Sequence, residues 1–292
     1  QQIRFSPSLF QDFMSLTKIN RTGTSIASLI GGVGFAAGFS ESSLILILQG
    51  AITFIFSYVP ISMLNDVVDA EADKLNESDR PIARGALSPR TVIVLAALVF
   101  LAGVAISSAF STAFLGILLL GTFLGILYCY WAKRNGLFSY MLLGCTHIAI
   151  PFVAGAILAG GFSEEALLVG AYVFLTMFLC IVIKDFKDID GDRLAGVKTF
   201  PILYGEKNAY KLTALAFLMA PLTFFLPWVL LHLSVWFVGF YSLVAAWKLK
   251  TAKILLKFPS PDKARRILDF FRFAVIGEML AWSLARSPIL AG

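Results

Sequence analysis

Ten of the 18 acidic residues fall in two short windows, 66–79 and 185–192. The first reads Asn65-Asp66-x-x-Asp69-x-x-x-Asp73. The second reads Lys184-Asp185-x-x-Asp188-x-x-x-Asp192. Steps of three and four along a helix return to one face, so each trio is expected to form one acidic stripe at a helix end. Like charges on one face repel, and beside apolar helices they are poorly solvated. A cation removes both costs. Hard oxygen ligands suit Mg2+, which keeps several waters and bridges carboxylates to substrate phosphates.

Basic residues stand beside the acids. Arg80-Pro81-Ile82-Ala83-Arg84-Gly85 follows the first window, Arg193 and Lys198 follow the second, and Lys133-Arg134 closes another apolar segment. Acids that hold Mg2+, ringed by Lys and Arg, describe a diphosphate site. At the mouth of an apolar bundle, such a site implies a substrate with a lipid tail. Taken singly, each basic residue is also explained by the positive-inside rule.

The elements that must position these groups are membrane helices. The chain has 292 residues, 58% hydrophobic and 14% charged, with mean hydropathy +0.83. Soluble domains are about 45–50% apolar and about 25% charged, so a water-facing fold is excluded, and disorder with it. The apolar residues fall into nine candidate helices near 22–39, 43–64, 91–110, 112–131, 138–160, 165–183, 209–230, 234–256 and 267–285. The alternating segments of a membrane β-barrel are absent. No removable signal peptide is expected before the first span.

Of 24 Lys and Arg, 22 lie in the N-terminal segment and in or beside the connections 2–3, 4–5, 6–7 and 8–9. The other connections carry Glu41, Glu164, Glu165 and His232. The positive-inside rule therefore predicts a cytoplasmic N-terminus, with both acidic windows on the cytoplasmic side of the cell membrane. The net charge of +6 is a topology signal and implies no nucleic-acid partner. Cys129, Cys145 and Cys180 lie in apolar spans without CxxC spacing and read as buried thiols. His147 reads as a packed histidine.

The two windows share one spacing at an offset of 119 residues, with four spans between them. That predicts a parallel repeat, residues 16–134 and 138–257, with a ninth helix at 267–285. All of it falls in one domain spanning 1–292. The predicted fold is an all-α polytopic bundle of nine helices around a central cavity.

Asn65-Asp66-x-x-Asp69-x-x-x-Asp73 followed by Arg80-Pro81-Ile82 resembles the first signature of the UbiA superfamily of intramembrane prenyltransferases. Asp185-x-x-Asp188-x-x-x-Asp192, with Gly196, Thr199, Pro201 and Gly205 downstream, resembles the second. The resemblance implies that Asn65, Asp66, Asp69 and Asp73 form one metal and diphosphate group and Asp185, Asp188 and Asp192 the other. Asp69, Asp73, Asp188 and Asp192 are then the catalytic set. It also implies substrate-binding roles for Arg80 and Lys133, which match basic residues around the diphosphate, and for Asn20, which matches a polar residue facing the cavity. Arg84, Arg193 and Lys198 join them by position. Two stretches depart from the pattern. Leu137-Phe138-Ser139-Tyr140 stands where many relatives carry Gly-Asn, and Ala83-Arg84-Gly85 replaces a stretch of small residues.

The chemistry so implied is Mg2+-dependent prenyl transfer from a prenyl diphosphate to an acceptor in the membrane. Phe54, Tyr58, Tyr128 and Trp131 could face an allylic cation, although packing also explains each. Lys184-Asp185, Gly191-Asp192-Arg193 and Pro201-Ile202-Leu203-Tyr204-Gly205 are most similar to archaeal digeranylgeranylglyceryl phosphate synthases. The expected reaction is therefore geranylgeranyl transfer to geranylgeranylglyceryl phosphate, with Lys18 and Arg21 available to an acceptor phosphate. The alternatives are an aromatic or tetrapyrrole acceptor, and a terpene cyclase with no acceptor. A transporter is disfavoured, because transporter sites lie near the midplane, often between inverted repeats.

Overall fold

The structure is a computed structural model that describes residues 9–19, 22–38, 40–75, 79–160, 163–187, 189–194, 196–257 and 259–286. Every described element is helical, with no strand among the described residues. In chain order they are α1 (Leu9–Thr17), α2 (Gly23–Ala37), α3 (Glu41–Val68), α4 (Ala70–Leu75), α5 (Pro89–Phe110), α6 (Thr112–Tyr130), α7 (Leu137–Gly144) and α8 (Ile150–Leu158). There follow α9 (Glu164–Met177), α10 (Ile189–Leu194), α11 (Phe200–Tyr204), α12 (Glu206–Thr223), α13 (Phe225–Leu230), α14 (Val235–Lys257) and α15 (Pro261–Ser283).

Six helical segments are long and apolar enough to cross a membrane: α3, α5, α6, and the stretches Leu137–Leu158, Glu164–Asp185 and Glu206–Leu230. Their outward faces carry large apolar side chains; Leu101 is 60% exposed, Phe123 62% and Leu168 63%. Such surfaces suit lipid, where exposed leucine and phenylalanine cost nothing. The chain is an integral multi-pass membrane protein. Of the other predicted spans, α2 is apolar but has 15 residues. Helices α14 and α15 have 23 residues each; α14 carries four lysines in its C-terminal half, and α15 carries charges from its first turn to Glu278.

The chain packs as two compact units. The first comprises the N-terminal segment to Thr22 and residues Thr53–Tyr130. Its core gathers Leu16 of α1, Val59 and Met63 of α3, Ala70 of α4, Ile82 of the following loop, and Val92 and Ala96 of α5. Helix α5 starts where Ser88 accepts a hydrogen bond from the Thr91 N–H and Pro89 takes the first helical position, the arrangement favoured for an N-terminus. Thr53 and Ser107 hydroxyls pair at 3.4 Å and Ser57 and Thr122 at 3.4 Å. Between membrane helices such hydroxyl pairs give direction where apolar contact gives none.

The second unit comprises Gly23–Ile52 and the chain from Trp131 onward. An aromatic cluster holds it. Trp282 of α15 meets Phe35 of α2, Phe152 of α8, Tyr172 of α9 and Phe237 of α14, with ring centroids 4.6–6.3 Å apart. Helices α2 and α8 pack backbone to backbone: a Cβ on Gly155 would stand 2.2 Å from the Leu29 carbonyl oxygen, so only glycine fits.

Two spans of this unit are not uniform α-helix. Between α7 and α8, residues Cys145–Ala149 form a π turn. It contains His147, half-buried, whose Nδ1 lies 2.9 Å from the Thr146 hydroxyl. After α9, Cys180–Asp185 wind as a 3-10 helix. The sequence predicted one helix over 165–183; the structure tightens its last turns.

Candidate functional site

The first acidic motif lies at the junction of α3 and α4. The Asp69 N–H bonds the Asn65 carbonyl at 2.9 Å and the Asp73 N–H bonds the Asp69 carbonyl at 2.8 Å. The helical ladder thus runs through the short break at Asp69, and the acids keep one face. One guanidinium reads that face. Arg80 Nη1 donates to Asp66 Oδ1 at 3.1 Å and to Asp73 Oδ2 at 2.7 Å, and stands 3.7 Å from Asp69 Oδ2. Asn65 Nδ2 donates to Asp69 Oδ2 at 2.9 Å.

Asp66 is buried, and the Lys18 ammonium also bonds its Oδ1. Its Oδ2 is buried without a hydrogen-bond partner among the described residues. Lys18 therefore serves the first motif, whereas the sequence offered it to an acceptor phosphate. It adopts φ 44°, a left-handed conformation uncommon for a residue with a side chain. The Asp73 carboxyl is held above the usual carboxylate range. Burial is the main cause, opposed by Arg80 and reinforced by Asp69 and Asp66. Four oxygen-donor side chains, one orphaned oxygen and a raised acid form a group that a divalent cation would relax. Among the described residues no group of three or more acidic, His or Cys side chains is arranged to hold a metal ion by itself. Mg2+ does not require one, since it binds through one or two carboxylates plus substrate phosphates.

Arg84 stands apart from that face. Its guanidinium bonds Asp12 of α1. Asp12 is buried while Phe10, Phe13 and Met14 of the same short helix are exposed, an inversion that fits a helix lying against lipid. The sequence reading missed Asp12. Its signal was an acid between outward-facing aromatics.

The second motif, in the other unit, is built differently. Asp185 ends the 3-10 helix and is buried. Its Oδ2 accepts from the Tyr140 hydroxyl at 2.5 Å and its Oδ1 from Lys184 Nζ at 2.6 Å. The Tyr140 oxygen in turn accepts the Phe200 N–H at 3.0 Å. Asp185 therefore ties α7, the 3-10 turn and α11 together. Tyr140 was missed as a site residue, although it lies in one of the two stretches that depart from the family pattern. Asp192 is half-buried in α10, and its carbonyl accepts the Val197 N–H at 2.9 Å. Asp188 and Asn20 lie outside the described residues.

Lys133 sits half-buried in a 3-10 turn, Ala132–Arg134. The Gly136 N–H that follows bonds the Lys198 carbonyl at 3.1 Å, so the Lys133 turn and the Lys198 strap share one edge of this unit. Lys198 is exposed. Arg193 is exposed and stands 3.6 Å from Asp190, a surface pair with little energetic weight. Gly205, at φ 84°, lets the chain reverse between α11 and α12, where a side chain would be strained. Of the candidate aromatics, Phe54 is buried, and Trp131 packs on Phe138 with centroids 5.1 Å apart.

Comparison with known proteins agrees. Residues 25–276 match the UbiA prenyltransferase family. The chain is similar to the digeranylgeranylglyceryl phosphate synthase of Haloquadratum walsbyi, 29% identical over 290 residues that cover 93% of this chain and 94% of that one. It is 31% identical to the Methanothrix thermoacetophila synthase over 168 residues, 56% of this chain and 60% of that protein's length. Among solved structures, a UbiA homologue from Archaeoglobus fulgidus bound to GPP and Mg2+ superposes with TM-score 0.73 at 17% identity, covering 93% of this chain and 99% of that one; this is a likeness of fold. The family match spans most of the chain and both acidic motifs, and the chain belongs to the UbiA prenyltransferase family.

Proposed function

We propose that this membrane prenyltransferase moves a geranylgeranyl group from geranylgeranyl diphosphate to the hydroxyl of geranylgeranylglyceryl phosphate, using Mg2+. The observation that carries the donor side is the single Arg80 guanidinium facing Asp66, Asp69 and Asp73. The near full-length similarity to a relative bearing the synthase name supports the acceptor. The likeness to a homologue bound to GPP and Mg2+ supports the metal.

In the first motif Asp69 and Asp73, helped by Asn65 and Asp66, would offer ligands to Mg2+; in the second, Asp188 and Asp192, helped by Asp185, would do the same. Bound there, Mg2+ would supply positive charge to a leaving diphosphate. Arg80 adds a fixed positive charge at the same face, and Lys133, Lys198 and Arg193 supply further charge to phosphate oxygens. The allylic C–O bond breaks with its electron pair leaving on the diphosphate. The acceptor hydroxyl oxygen bonds the freed carbon, and its proton passes to a diphosphate oxygen. Apolar helices exclude the water that would otherwise capture the carbon. The charge asymmetry of the connections supports nine spans, a cytoplasmic N-terminus and a polar acceptor head arriving from the cytoplasmic side.

The test is incubation of the purified protein with Mg2+, labelled geranylgeranyl diphosphate and either geranylgeranylglyceryl phosphate or a panel of aromatic acceptors. The expected product is the diether phosphate, lost on chelation. Preferential prenylation of an aromatic acceptor would overturn the acceptor and keep the transferase; diphosphate release with a cyclised hydrocarbon would overturn both.

A further inference from the structure

A second charged group lies in the membrane-embedded part of the chain, outside both motifs. Lys248 of α14 and Glu278 of α15 are fully buried and bonded to each other. An ion pair among apolar helices is costly, and replacing one by apolar residues is often neutral or stabilising, so stability alone does not explain it. The pair is also imperfect for that purpose, since Glu278 Oε1 is buried without a hydrogen-bond partner among the described residues.

What the pair touches is informative. Lys248 Nζ lies 4.0 Å from Met177 Sδ, the last residue of α9. Both charges act electrostatically on Cys180, the first residue of the 3-10 helix. The ammonium stands over the Tyr241 ring at 5.9 Å. The pair thus sits at the point where α9 changes winding. That junction is weakly specified by its own backbone. Val182 N–H reaches the Leu179 carbonyl only at 3.4 Å, and the Thr176 carbonyl accepts the Cys180 thiol at 3.4 Å. Five residues later the 3-10 helix delivers Asp185 to Tyr140. A change of winding within a helix commonly marks a functional position. Each residue by which the changeover moves would turn Asp185 by about 20° and shift it by about 0.5 Å along the axis.

We infer that Lys248 and Glu278 are positioning residues, which fix where α9 gives way to the 3-10 helix and thereby set the placement of the second acidic motif. A directional ion pair specifies one arrangement where apolar contact with Met177 would permit several. The inference rests on the proposed prenyl transfer for its catalytic consequence but not for its structural one.

The experiment compares wild type, Glu278→Asp, the apolar double variant Lys248→Met/Glu278→Met and the exchanged pair Lys248→Glu/Glu278→Lys, in nanodiscs. Three quantities are read: thermal midpoint, amide hydrogen exchange over residues 178–194, and KM and kcat for geranylgeranyl diphosphate with Mg2+. The apolar double variant should keep the wild-type midpoint, exchange at least tenfold faster over 178–194 and raise KM about tenfold. Glu278→Asp, which keeps both charges but shortens the reach, should accelerate the same exchange, and the exchanged pair should recover it. Wild-type exchange and KM in a folded apolar double variant, or accelerated exchange spread evenly over the chain in Glu278→Asp, would overturn the positioning role. If wild type itself transfers no prenyl group, the proposed function fails, while the exchange comparison still decides this inference.

Discussion

The two acidic motifs share a spacing and differ in almost everything that surrounds it. At the first, the ladder of backbone bonds runs from Asn65 through Asp69 to Asp73, and three carboxylates face one arginine. At the second, a 3-10 turn precedes the motif, and Asp185 is claimed by Tyr140 and Lys184. The first is a set of acids held together against their own repulsion by Lys18 and Arg80. The second is one acid used as a knot between three segments. Equal spacing in sequence thus gives unequal electrostatics, because winding decides which side chains share a face and neighbours decide how much charge each keeps.

The comparison is broken most severely by removing an acid from the crowded motif. Asp73→Ala takes away one of the proposed metal ligands and the carboxylate nearest Arg80. Prenyl transfer is expected to fall on the order of 10³-fold, the scale of losing a principal electrostatic group, while the circular dichroism and thermal midpoint stay near wild type. Near-normal turnover in this variant would remove Asp73 from the site. Arg80→Ala should cost about 10²-fold. It should also raise the Mg2+ concentration needed for half-maximal rate, because three carboxylates lose their shared counter-charge. Arg80→Lys should recover only part, since a point charge does not reproduce the guanidinium's spread of donors. Full rescue by lysine would mean that only net charge matters there.

Tyr140→Phe probes the second motif. It removes the donor to buried Asp185 and the acceptor for the Phe200 N–H, so stability should drop by about 1–3 kcal/mol. Transfer should fall about tenfold through KM for the diphosphate rather than through kcat. A loss confined to kcat, with unaltered stability, would make Tyr140 a participant in the chemistry instead of a support for Asp185.

The residues explain why the sequence revealed one motif better than the other. Six of the predicted spans are present as helices long and apolar enough to cross a membrane, because long apolar runs leave lipid-facing backbone only one way to satisfy its hydrogen bonds. The first acidic face was legible because its α-helical ladder persists through Asp69. The tightening after Met177 was not, since Cys180-Ile181-Val182-Ile183 is as apolar as the helix before it and periodicity is blind to winding in an apolar run. Tyr140 and Asp12 were missed for another reason. Each pairs with a residue far away in sequence, Asp185 and Arg84, and a lone polar residue on an apolar helix gives no sign of its partner. Arg84 itself was read with the diphosphate group because it follows Arg80 by four residues, yet it is bonded to α1.

Arg84 gives the finest test of the difference between the motifs, since sequence position and geometry assign it opposite roles. If it served the diphosphate, Arg84→Ala would raise KM for the donor as Arg80→Ala does. The structure ties it instead to buried Asp12, with its Nε also buried and without a hydrogen-bond partner among the described residues. Its removal should therefore leave an unpaired acid beneath α1 and lower stability by about 1–3 kcal/mol, with donor KM within about twofold of wild type. Asp12→Asn should produce a similar loss of stability. The double variant should cost less than the two single losses combined, because the second change removes a group that the first has already orphaned. The measurement is a double-mutant cycle on thermal midpoint together with donor titrations of all four proteins. Additive stability losses, or a donor KM that rises with Arg84→Ala and not with Asp12→Asn, would return Arg84 to the diphosphate group. Otherwise the first motif ends at Arg80, and α1 is latched to the loop that follows it.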